Sequence, residues 1–132
     1  MLMESGWTVT IGDELLQAIL EGARRLYPKE TILLLRGKKA KRTITISELL
    51  VPPLATYGHG FAGIPTHMLP MDFSIVGTVH SHPSGSLSPS PTDLNHFFGI
   101  VLMIVCFPFE NEGNVAAYTR SGENARLQIT RT

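Results

Sequence analysis

The sequence predicts an α/β domain in which a mixed β-sheet is flanked by helices. Two observations carry that reading: an amphipathic stripe over Asp13–Tyr27, and apolar runs of strand length separated by glycine, proline and serine. Trp7–Ile11 reads as a short strand. From Asp13 onward, Leu15, Leu16, Ile19, Leu20, Ala23, Leu26 and Tyr27 fall at three- and four-residue spacing, which gives a helix one apolar face. Pro28 ends that helix, because the residue before a proline is pushed out of helical dihedrals.

Thr31–Leu35 is a short apolar run, expected as a strand covered on both faces. Arg36–Arg42 is polar and reads as a turn made possible by Gly37. Thr43–Ser47 alternates Thr-Ile-Thr-Ile-Ser, the pattern of a strand with one buried face. Residues 52–66 hold Pro52, Pro53, Gly58, Gly60, Gly63 and Pro65 and read as a long loop, a length that usually serves function. Ser74–Ser81 is the next strand, followed by the loop Pro83–Ser90 and a helix starting at Ser90 with Pro91 in its first turn. Ile100–Phe107 is a buried strand, and Val115–Arg120 with Ala125–Thr130 forms a hairpin around Ser121-Gly122. These patterns do not reveal the strand order.

A length of 132 residues corresponds to one domain, 1–132, and no repeat or linker divides it. With 43% apolar and 17% charged residues, the composition excludes a disordered chain. No apolar run is long enough for a membrane helix, and the N-terminus lacks a signal-peptide pattern. The lone cysteine, Cys106, forms no internal disulfide, which fits a reducing cytoplasm, and it reads as a buried small apolar residue. A net charge of zero argues against nucleic acid as a partner.

The zero divides unevenly. Residues 1–42 carry a net of +3, residues 43–119 a net of −5 without a single Lys or Arg, and residues 120–132 a net of +2. All five histidines (His59, His67, His80, His82 and His96) lie in the middle stretch, which suits a metal environment and equally suits a buried core.

His80-Ser81-His82 ends a predicted strand. Residues i and i+2 share a face, so both imidazoles can meet one ion. Two histidines leave a catalytic zinc site short of a third protein ligand. Between residues 49 and 109 the only carboxylates are Asp72 and Asp93, and Asp93 falls in the first helical turn after the loop. Ser90-Pro91-Thr92-Asp93 also reads as a plain helix start, with Ser90 as N-cap and Asp93 at the third helical position. Rival metal motifs fail by residue. There is no His-Glu-x-x-His, one cysteine cannot supply the Pro-Cys-x-x-Cys of a zinc deaminase, and Ser84-Gly85 stands where a metallo-β-lactamase has Asp-His.

Read together, His80-Ser81-His82-Pro83 with Ser90 and Asp93 eight and eleven residues after His82 resembles the JAMM, or MPN-plus, zinc metalloprotease family. The likeness spans nearly the whole chain and is similar to archaeal homologues of the proteasome-lid deubiquitinase. It implies a single-domain MPN fold, which is cytidine-deaminase-like. It also implies one Zn2+ held by His80, His82 and Asp93 with water as fourth ligand. The family's leading glutamate falls on Glu30, which burial preference alone would leave on the surface. The resemblance gives Glu30 the proton transfers, and makes Ser90 the donor to the tetrahedral oxyanion, a role worth about 3 kcal/mol for a single donor. His59, His67 and His96 are then structural or surface residues.

By the same resemblance the substrate is an isopeptide or peptide bond at the C-terminus of ubiquitin or a ubiquitin-like modifier in a conjugate. Its tail is expected to add as a strand at the active-site edge, walled by Pro52–Pro65 and Pro83–Pro89. The alternatives are a peptidase that trims the extension of a sulfur-carrier protein, and a non-catalytic MPN scaffold. The chain stops at Thr132, soon after its last strand, which favours a stand-alone enzyme. It is expected in the cytoplasm, and a homodimer stays open.

Overall fold

The computed structural model describes residues 4–52, 74–95 and 99–131. The expected loop from Pro53 to residue 66 lies outside them, as do His59, His67 and His96. In chain order the elements are β1 Glu4–Gly12, α1 Asp13–Leu26, β2 Ile32–Ala40, β3 Thr43–Leu50, β4 Ile75–His82, α2 Pro91–Asn95, β5 Val101–Cys106, β6 Val115–Thr119 and β7 Asn124–Thr130. A 3-10 turn, Glu112–Asn114, leads into β6.

The strands run β1-β3-β2-β4-β5-β6-β7, and β1 pairs with β7, so the mixed sheet closes into a barrel. The pairs β1/β3, β1/β7 and β4/β5 are parallel and the others antiparallel. β4 is hydrogen-bonded to β2 on one side and β5 on the other, which holds it in the middle of the sheet.

The stripe on α1 is used as its spacing predicts: Leu16, Ile19, Leu20 and Ala23 are buried in one core with Val9, Ile11, Ile44, Val79 and Met103. Asp13 and Glu14 open the helix and Arg24 and Arg25 close it, each sign opposing the local end of the helix dipole. Arg24 also donates to the carbonyl of Phe109, tying the helix end to the segment after β5. All six residues of β5 are buried, Cys106 at its end among them.

Arg36–Arg42 is not a turn. β2 continues to Ala40 against β3, and the chain reverses at Lys41, whose φ is 57°. The polar residues mislead because Lys38, Lys39 and Ala40 occupy an exposed ribbon, where no apolar alternation is required. Gly37 instead serves close approach at a bulge: a Cβ there would lie 2.1 Å from the carbonyl oxygen of Thr45. Gly77 does the same between β4 and β5, where a Cβ would lie 1.9 Å from the Val101 carbonyl oxygen.

Candidate active site

β4 delivers His80 and His82 to one face at its C-terminal end, as strand alternation requires. The antiparallel register pairs Ile32 with His80 and Leu33 with Val79. Continued by two residues, it sets Thr31 opposite Ser81 and Glu30 opposite His82. The Ser81 N–H donates to the Thr31 carbonyl at 3.0 Å, which fixes that continuation. Pair 31–81 is therefore a hydrogen-bonded one and pair 30–82 a non-hydrogen-bonded one, the type in which facing side chains stand closer.

The loop after β4 returns Asp93 to the histidines. Asp93 Oδ2 lies 2.9 Å from His82 Nε2, and Oδ1 lies 3.3 Å from His80 Nδ1. The helix-start reading of Ser90 and Asp93 holds at the same time: the Asp93 N–H donates to Ser90 Oγ at 3.0 Å, and the Ser90 N–H donates to Asp93 Oδ2 at 2.8 Å. This reciprocal pair is a capping box with aspartate as the third helical residue. It uses a lone pair of Ser90 Oγ and leaves the hydroxyl proton available for donation.

Burial opposes ionisation of Asp93, but hydrogen bonds from His80, His82 and the Ser90 N–H outweigh it and hold the carboxyl well below the usual range. Burial likewise opposes a charged His82, yet its hydrogen bond to Asp93 and that residue's charge raise the imidazole above its ordinary value. Glu30 is half-buried, and desolvation raises its carboxyl. The charges of His82, Asp93 and His80 all act on it, the histidines lowering and Asp93 raising, so Glu30 belongs to the same electrostatic neighbourhood.

The donor chemistry fits a metal ion. His82 Nδ1 faces the Ser86 carbonyl at 3.1 Å, so Nδ1 carries a proton and Nε2 presents its lone pair once the imidazole is neutral. His80 Nε2 is buried without a hydrogen-bond partner among the described residues, a cost that a bound ligand would remove. Among those residues no three donors surround a common point as they stand, because the Asp93 carboxylate bridges the two imidazoles directly. Two imidazole nitrogens and a carboxylate are the nitrogen and oxygen set that zinc takes. Ser86 escaped the sequence reading because it acts through its carbonyl, which every residue possesses. Cys106 is buried, with its thiol raised by that burial, which suits a packing role.

Comparison with known proteins gives the family. Residues 12–124 match the family described as prokaryotic homologues of the JAB domain. A Haloferax volcanii protein described as a probable metalloprotease is 32% identical over 135 residues, covering 97% of this chain and 83% of the relative. A solved structure described as a JAMM metalloprotease-like zinc site in the proteasome and signalosome superposes with a TM-score of 0.66 at 34% identity, over 93% of this chain and 98% of the other. A JAB1/MPN domain protein from Archaeoglobus fulgidus gives 0.67 at 36% identity, over 92% and 98%. Fold and sequence together define a JAB-type α/β domain. The chain belongs to the JAMM/MPN metalloprotease family.

Proposed function

We propose that this protein is a zinc-dependent peptidase that cleaves the isopeptide or peptide bond at the C-terminus of a ubiquitin-like modifier. The observation that carries the reading is the meeting of His80, His82 and Asp93 at one strand end, with Glu30 across from His82. His80, His82 and Asp93 would hold the zinc ion. When bound, zinc acts as a Lewis acid that polarises a carbonyl and lowers the pKa of water toward about 7.

Glu30 accepts the proton of the attacking water and later delivers a proton to the leaving amine nitrogen. Its raised carboxyl suits both halves of that task, since a base that must also act as acid works best near the operating pH. The Ser90 hydroxyl donates to the tetrahedral oxyanion while its lone pair caps α2.

A protein substrate suits the surface beside these residues. The rings of Tyr27 and Phe107 lie 4.9 Å apart and each is 45% exposed. Tyr27 is three residues from Glu30, and the Phe107 N–H donates to the His82 carbonyl. Exposed aromatics at an active-site rim favour a folded partner over a small molecule. The Pro83–Pro89 wall is anchored from below, because the Tyr118 hydroxyl donates to the Leu87 carbonyl at 2.8 Å. No helix among the described residues is long and apolar enough to cross a membrane.

The test offers purified protein, with and without chelator, an isopeptide-linked ubiquitin and a sulfur-carrier precursor bearing a C-terminal extension. Chelator-sensitive release of ubiquitin is the expected result. Release from the precursor alone would move the substrate to sulfur carriers, and chelator-insensitive cleavage would overturn the zinc mechanism.

A further inference from the structure

Ser81 lies between the two histidines, yet its side chain points to the other face, where the proposed chemistry makes no use of it. It is buried, and with Thr31, Leu33, Val79 and Val105 it lines a cavity of about 140 Å³ beneath α1. There the Ser81 Oγ accepts two hydrogen bonds from Thr31, one from the backbone N–H at 2.8 Å and one from the hydroxyl at 2.9 Å. In an antiparallel hydrogen-bonded pair the two residues exchange both N–H to carbonyl bonds. Only one is a backbone bond here, from the Ser81 N–H to the Thr31 carbonyl. The Ser81 hydroxyl takes the place of its own carbonyl as acceptor for the Thr31 N–H.

We propose that Ser81 is a positioning residue that sets Glu30 against His82. Thr31 is the residue next to Glu30, and these side-chain bonds, together with the Ser81 N–H bond to the Thr31 carbonyl, link it to β4 ahead of the regular β2 ladder, which begins at Ile32. The hydroxyl stands on the side-chain face of its strand, whereas the carbonyl it replaces points along the ladder to the neighbouring strand. It therefore fixes where the Thr31 amide sits, and through one peptide unit where Glu30 stands. A displacement of about 1 Å in a proton-transfer group is enough to lower turnover by one to two orders of magnitude. The inference rests on the reading of Glu30 as the group that moves the proton.

The test compares Ser81→Ala, Ser81→Thr, Thr31→Val, Glu30→Gln and the double variant Ser81→Ala with Glu30→Gln, using zinc-loaded protein and a modifier-protein fusion as substrate. Ser81→Ala should lower kcat about tenfold, with KM within about twofold and zinc content unchanged. Ser81→Thr should restore kcat, because the hydroxyl returns and the added methyl has the cavity to enter. Thr31→Val removes the hydroxyl bond alone and should lower kcat about threefold. In the Glu30→Gln background Ser81→Ala should have no further effect, since residues acting as one unit are not additive.

A silent Ser81→Ala beside an inactive Glu30→Gln would overturn the positioning role and leave the Glu30 reading intact. An active Glu30→Gln would overturn that reading first. If Ser81→Ala does not fold, an unchanged kcat in Thr31→Val decides against the proposal.

Discussion

The two ends of the β4–β5 pair are built on opposite electrostatic plans. At the C-terminal end of β4 the polar groups are buried and bonded to one another: Asp93 to His80, His82 and the Ser90 N–H, and Ser81 to Thr31. At the other end the charges lie around an open cleft and are mostly cationic, with Glu123 beside them. Lys39 and Arg42 lie over the Trp7 ring at 5.7 and 5.8 Å, Arg42 donates to the Ser5 carbonyl, and Arg120 donates to the Gly99 carbonyl. That end holds a cleft of about 620 Å³ lined by Trp7, Arg42 and Arg120 among others.

The contrast lies in how the charged groups are satisfied. A carboxylate paired with Lys or Arg is already satisfied by a permanent charge, whereas Asp93 is paired with two imidazoles that become neutral by losing a proton. The stretch 43–119, which lacks Lys and Arg entirely, supplies both imidazoles and the carboxylate. No cationic side chain from that stretch would compete with a metal ion for Asp93.

Perturbing the two ends separately tests this contrast. The largest effect is expected from Glu30→Gln, which keeps hydrogen bonding but removes the base: zinc content should hold and kcat should fall about 10³-fold. Full turnover in that variant would take Glu30 out of the mechanism. Ser90→Ala should lower kcat by about 10²-fold through loss of the oxyanion donor, and lower stability by about 1 kcal/mol through loss of the cap. A fall in melting temperature with unchanged kcat would leave only the cap.

Chelated protein should show a pH dependence set by the pairing of Asp93 with the imidazoles. The depressed Asp93 carboxyl contributes stability that is present above its ordinary value of 3.8 and lost as pH falls through its folded value. The raised His82 imidazole contributes stability that is present below its ordinary value of 6.5 and lost as pH rises through its folded value. Melting temperature should therefore be highest between these limits and decline above them, a decline that Asp93→Ala abolishes. An identical profile in that variant would separate Asp93 from the histidines. The smallest effect belongs to the far end. Arg42→Ala should cost about 0.5–1 kcal/mol through its contact with Trp7 and leave kcat within about twofold.

Much of the site was legible in sequence because its geometry is local. A two-residue strand period puts His80 and His82 on one face, and a helix start places Ser90 and Asp93 within a single turn. Glu30 was not legible from its surroundings, because it meets His82 through a register between strands about fifty residues apart. Only its family resemblance marked it. The helix α1 and the apolar strands followed from periodicity, whereas the outer half of β2 did not, being exposed and polar. Barrel closure depends on β1 meeting β7 across nearly the whole chain, and no periodicity within either strand encodes that partner.

The central claim is that His80, His82 and Asp93 form a metal centre, and zinc content measures it most directly. Elemental analysis of purified wild type, Asp93→Ala and Ser90→Ala separates the ligand from the cap, since Ser90→Ala disturbs the cap while sparing the carboxylate. One zinc per chain in wild type and Ser90→Ala, with none in Asp93→Ala, is the predicted result. Zinc retained in full by a folded Asp93→Ala would contradict it.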